Sequence, residues 1–233
     1  MSLRPKDTLI TALILCLTFQ SYALVMADTV HDVFSEGTGA ELVTVVLFAF
    51  AFGLWWTTSP SRRAGWHIGM VIILMMMREL DFDKRFTADG VLQLRLYSSA
   101  DNPVYQKVIG FMVIALIAVV VIRICVRDVP GLLRGLRANT MAAWLMGIAF
   151  VVLCLSKTLD GLARKLAPWG IYVSEWANTR AGRIEELAEM VFAILLVQVL
   201  VYCEIRRREH RAQTHGWQIF EAGYHPLNVP RVR

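Results

Sequence analysis

The chain has 233 residues, of which 56% are hydrophobic and only 18% charged, and its mean hydropathy is +0.51. Soluble domains carry closer to a quarter charged residues, and here the apolar residues gather in long unbroken blocks, which excludes an ordinary water-soluble globule and points to an integral membrane protein. The formal charge of +5 does not indicate a nucleic-acid partner, because most of the surplus Lys and Arg flank apolar blocks, where membrane topology accounts for them.

The pattern predicts an all-α, polytopic bundle of six transmembrane helices in one domain, residues 1–205, followed by a polar tail, 206–233. The spans expected are 9–27, 41–58, 66–84, 104–125, 141–160 and 186–204, each near the ~20 residues a helix needs to cross hydrocarbon. Residues 1–27 also have the basic start, apolar core and small-residue "VMA" of a secretory signal, but a retained helix is the expectation. Orientation follows the basic residues. Arg4 and Lys6, Arg62 and Arg63, Arg127, Arg134 and Arg137, and Arg206 to Arg208 fall in alternate segments, which places them together in the cytoplasm with both termini. A bacterial-type cytoplasmic (inner) membrane is the expected location. Trp55, Trp56, Trp66 and Trp144 are then expected at the inner interface, and Trp169 and Trp176 at the outer one. Cys16, Cys125, Cys154 and Cys203 all lie in apolar blocks and are expected to be small packed hydrophobes rather than disulfide or zinc ligands.

The third span ends on "MMMRELDFDKRF" (75–86), where charge arrives before the helix should have left the bilayer. Counting 1.5 Å per residue from Trp66 puts Arg78, Glu79, Asp81 and Asp83 in the outer third of the membrane. The fifth span brings Ser156, Lys157 and Asp160 to the same depth, with Arg164 on the same arc. The sixth brings Glu185, Glu186 and Glu189, and Glu41 opens the second span beside them. Isolated charges at mid-membrane cost about 2.5–3.5 kcal/mol each, so convergence on a shared, partly hydrated pocket is the economical arrangement. Acids outnumber bases in this layer, which calls for a bound cation, a shared proton or a cationic ligand.

Three functions are compatible with this pattern. The first is a membrane-embedded hydrolase or transferase acting on a lipid-linked headgroup at the outer leaflet. In it Glu79 and Glu189 are the acid/base candidates, with Asp160 and Lys157 also catalytic. Arg78, Ser156 and Arg164 would bind ligand, and Glu41, Glu79, Asp83, Glu185, Glu186 and Glu189 are the oxygen donors for Mg²⁺, Mn²⁺ or Ca²⁺. The second is an accessory or assembly protein that docks a partner through its outer loops (87–103 and 161–184) or its tail. The third is a proton- or cation-coupled transporter, for which the apolar inner halves of the spans offer only Gln198, Gln20 and Ser21 as a path, and no inverted repeat or pair of glycine-broken helices of the transporter kind is evident. His67 is expected in a packed or interfacial role at the inner end of the third span, and His31 to lie in a solvated loop. "GVLQLRLYS" (90–98) alternates like a strand and predicts a short hairpin.

"LDGLARKL" (159–166) resembles the CDP-alcohol phosphotransferase signature in its Asp-Gly and Ala-Arg pairs. Its spacer before Ala163 is one residue short and no downstream aspartates follow, so the match is treated as chance.

Overall fold

The computed structural model describes residues 4–26, 39–59, 62–87 and 89–223, with backbone alone for Ala23, Met26 and 210–223. Among these residues the fold is entirely helical. The long helices are α1 (Pro5–Met26), α2 (Gly39–Thr58), α3 (Trp66–Glu79), α6 (Val104–Arg127), α8 (Met141–Leu159) and α10 (Glu175–Gly223). Short helices α4 (Phe82–Phe86), α5 (Leu94–Ser98), α7 (Val129–Arg137) and α9 (Leu162–Leu166), and a 3₁₀ turn at Ala167–Trp169, connect them. Among the described residues four segments are long and apolar enough to cross a membrane: Gly39–Thr58, Val104–Arg137, Met141–Leu159 and Glu175–Glu209.

These four fall on the second, fourth, fifth and sixth expected spans, and α1 covers the first. The third is different. Helix α3 stops at Glu79 after 14 residues, about 21 Å of rise against ~30 Å of hydrocarbon. Asp81 then adopts a left-handed conformation (φ 46°, ψ 36°) and α4 restarts on a new axis. The last span is also longer than expected: α10 begins at Glu175, within the segment read as an outer loop, and runs for 49 residues. The hairpin expected at 90–98 is not formed. Leu94–Ser98 is a helical turn whose Leu96 is fully buried, and the Tyr97 hydroxyl donates to the Val91 carbonyl at 2.7 Å. Alternation set by local turns and a single buried leucine imitates a strand pattern without a partner strand.

Helix α10 is the axis of the bundle. It packs most extensively on α8 and α2, and α1 closes the remaining side. The core joins Val43, Leu47, Phe48 and Ala51 of α2 to Phe192, Ala193, Leu196 and Val197 of α10, with Ile72 of α3 and Ala149 of α8. Phe48 and Phe192 meet edge to face at 6.2 Å, a favoured aromatic geometry. Gln198 is absorbed by packing. With its amide oriented to satisfy both ends, Nε2 donates to the Pro5 carbonyl at 3.2 Å and Oε1 accepts from the Leu9 N–H at 3.1 Å, which ties α1 to α10.

Two helices share a pattern that becomes visible once their ends are compared. α3 reads Trp66-x-x-Gly69, eight apolar residues, then Arg78-Glu-Leu-Asp81. α8 reads Trp144-x-x-Gly147, eight apolar residues, then Ser156-Lys-Thr-Leu-Asp160. Both lead into a left-handed residue, Asp81 and Gly161, and then into a short basic helix. The two helices therefore finish in the same way, and at the same end of the bundle.

Trp55 is not an interfacial belt residue. It is 8% exposed and its ring lies across Gly69, where an added Cβ would stand 2.4 Å from Cζ3. The absence of a side chain at Gly69 lets α2 and α3 approach over this ring. Gly69→Ala should therefore force Trp55 to tip and lower stability by about 1–3 kcal/mol. Gly53→Ala, with no atom within 4 Å of the new methyl, should keep stability or raise it by up to about 1 kcal/mol through helix propensity, as thermal melting of the purified protein in detergent would report.

Candidate functional site

The charged residues gather at the end of the bundle where α2 and α10 begin and α3 and α8 finish. Their centre is Glu189, 8% exposed. Three donors meet on one of its oxygens, Oε1: Arg78 Nη1 at 3.2 Å, the Ser156 hydroxyl at 3.3 Å, and the Lys157 ammonium in direct contact. Ser156 is fully buried, Lys157 about one-third exposed and Arg78 about half exposed. Arg78 also reaches Glu79 Oε1 at 3.4 Å, and Lys157 reaches Glu185 Oε1 at 3.4 Å. One buried carboxylate thus joins α3, α8 and α10.

Around this clasp lies a further layer of acids. The Glu79 side chain is only 6% exposed. Glu41 is within electrostatic reach of both Glu79 and Glu186, and Glu185 of Asp160. Oε2 of Glu186 is buried and accepts no hydrogen bond among the described residues. Beside Glu41 and Glu79 is an open groove of about 340 Å³, whose polar wall is completed by Asp81 and Arg85 and whose apolar wall is Leu42, Val45 and Leu80.

Of the expected site residues, Glu41, Arg78, Glu79, Ser156, Lys157, Glu185, Glu186 and Glu189 are brought together. Asp83 and Arg164 are not, and the helix breaks are the reason. An uninterrupted helix would place Asp83 on the face of Glu79 and Arg164 on the arc of Ser156. After the left-handed Asp81, Asp83 instead faces its own loop and its Oδ2 accepts the Val91 N–H at 3.2 Å. After the left-handed Gly161, the exposed Arg164 folds back over that glycine. Asp160 ends α8 and faces Lys165 at 4.0 Å, at the edge of the cluster.

The divalent-metal set finds no support. Among the described residues, no three His, Cys, Asp or Glu side chains come together as a metal site would require. The physical reason is that Glu189 is occupied by cations of the protein itself and Asp83 is turned away. His31 lies outside the described residues.

A second polar cluster, not foreseen from the sequence, sits at the opposite end of α3. His67 is 1% exposed. Its Nδ1 accepts from Arg123 Nε at 3.1 Å, so the proton belongs on Nε2, which donates to Asp128 Oδ2 at 2.7 Å. Arg123 and Arg127 both donate to the Ala64 carbonyl, at 3.2 and 3.0 Å. His67 is thus a packed residue, as expected, but it serves as the tie between α3 and the end of α6. The only sequence signal was an arginine inside an apolar span.

Removing Glu189 takes the shared acceptor from two cations and a buried serine, leaving Arg78 with Glu79 and Lys157 with Glu185. Glu189→Ala should cost about 3 kcal/mol or more, whereas Arg78→Ala, whose side chain is half solvated, should cost about 1 kcal/mol or less. Unfolding in detergent measures both, and equal losses would show that Glu189 is not the centre of the clasp. Compared with protein-family models, with curated proteins and with solved structures, the chain matches none.

Proposed function

We propose that the protein is a multi-pass inner-membrane protein that binds a charged lipid headgroup, one bearing both an amine and a phosphate, in the groove beside Glu41 and Glu79. The topology is N-in and C-in with six crossings, the third made by the short α3. In this orientation α3 starts at the inner interface and ends about 9 Å below the outer headgroups. The groove then opens within the outer leaflet, where lipid headgroups are the most abundant polar ligands.

The observation that carries the reading is the crowding of carboxylates beside the groove. Glu41, Glu79, Glu185 and Glu189 all lie within electrostatic reach of Glu186, and the two cations of the clasp, Arg78 and Lys157, both pair with Glu189. An ammonium placed in the groove would be drawn to the carboxylates of Glu41 and Glu79 on its wall. The apolar wall of Leu42, Val45 and Leu80 suits an acyl chain. Binding is favoured over turnover. Ser156 is fully buried, and the carboxylate that accepts its hydrogen bond, Glu189, is held by Arg78 and Lys157, so the hydroxyl is neither accessible as a nucleophile nor served by a free base.

Two measurements test the proposal. In nanodiscs or by native mass spectrometry, the Glu41→Gln/Glu79→Gln double variant should retain phosphatidylethanolamine at least about tenfold more weakly than the parent, a loss of ~1.4 kcal/mol, with phosphatidylglycerol retention unchanged. Equal loss of both lipids, or of neither, refutes the groove's role. Alkaline phosphatase fused at residue 95 should be active and a fusion after residue 233 inactive; the reverse would overturn the orientation.

A further inference from the structure

Three donors from two separate helices meet on a single oxygen atom, and this convergence has a chemical meaning of its own. A guanidinium, an ammonium and a hydroxyl aimed at one point make up an oxyanion cradle of the kind used to hold phosphoryl groups. Here the oxyanion is Oε1 of Glu189. Glu189 approaches from α10, while the donors stand on α3 and α8. Two of the three donors are reachable from outside, since Arg78 is about half exposed and Lys157 about one-third, whereas Ser156 is fully buried and the carboxylate they hold is almost wholly covered.

We propose that Arg78, Ser156 and Lys157 form a phosphoryl-binding site that Glu189 occupies as an internal substitute, so that a phosphate ligand must displace this carboxylate to bind. No bond is made or broken in the exchange; one anion replaces another on the same donors. The site next to it shows where the displaced carboxylate's neighbours lie: Lys157 also faces Glu185 and Arg78 also faces Glu79, so both cations keep a partner while Glu189 moves. Glu189 is then a self-ligand that keeps the cradle closed and selective. The inference deepens the headgroup reading by assigning the place of the phosphate, and the cradle itself does not depend on the amine groove.

The test uses full-length protein in a phosphate-free sugar detergent and two probes: inorganic phosphate, and short-chain phosphatidylethanolamine. Binding is followed by ³¹P NMR line broadening for the parent, Glu189→Gln, and Glu189→Gln combined with Lys157→Met. Removing the competing charge should tighten binding at least about tenfold, and adding Lys157→Met should abolish the gain. A gain with inorganic phosphate identifies free phosphate as a sufficient ligand. A gain confined to the lipid identifies the headgroup. Should Glu189→Gln fail to fold, Glu189→Asp, which withdraws the carboxylate by one methylene, should tighten binding in the same sense. No gain for either probe, or a gain that survives Lys157→Met, overturns the proposal. Because inorganic phosphate carries no amine, its result is independent of the Glu41/Glu79 groove, and the two readings fail separately.

Discussion

The bundle is organised around one buried anion. Glu189 lies on the central helix, and its charge is tolerable there only because α3 and α8 each bring a cation to it. A lone carboxylate at that depth would suffer a desolvation penalty of several kcal/mol. Packing of Phe48 against Phe192 and of Ala149 into the core brings the helices together, but apolar contacts in a bilayer are permissive about height. The ion pairs are not. They set the level at which α3 and α8 stand relative to α10, and every other polar residue of the site inherits its position from that level.

The breaks at Asp81 and Gly161 explain why the site is open. Each follows directly on the helix that delivers a cation, and each turns the chain aside before it can cover the clasp. Asp tolerates the left-handed region better than most side chains, and glycine tolerates it freely. The matching Trp-x-x-Gly patterns place the two cations nine or ten residues beyond their glycines. Arg78 and Lys157 can thus be seen as equivalent products of two similar helices converging on one acceptor. The two diverge afterwards: α4 borders the groove, while α9 leads to a 3₁₀ turn and the start of α10.

The two ends of α3 are held differently. At one end His67 is enclosed, with both ring nitrogens used by Arg123 and Asp128, and nearby arginines fasten the preceding turn through the Ala64 carbonyl. At the other end Arg78 is half solvated and divided between two glutamates.

The sequence alone determined the helical, membrane-compatible class of the protein and pointed to the end of the bundle where its charges gather. Apolar blocks of spanning length, separated by basic segments, dictate helices in a bilayer, because backbone groups in hydrocarbon must be satisfied within the segment. Charges at equal distances along neighbouring spans had to share a depth, so eight of the expected residues were legible before any coordinates. Only the tertiary structure decided which of these meet. An ideal helix drawn through Asp81 and Gly161 carries Asp83 and Arg164 into the cluster, and two backbone dihedrals remove them. Periodicity could not show that three donors share one oxygen, that Trp55 covers a glycine rather than facing the interface, or that His67 has partners on α6. Those depend on contacts between segments distant in the chain, and the angle and height at which two helices pack are set by the side chains of both.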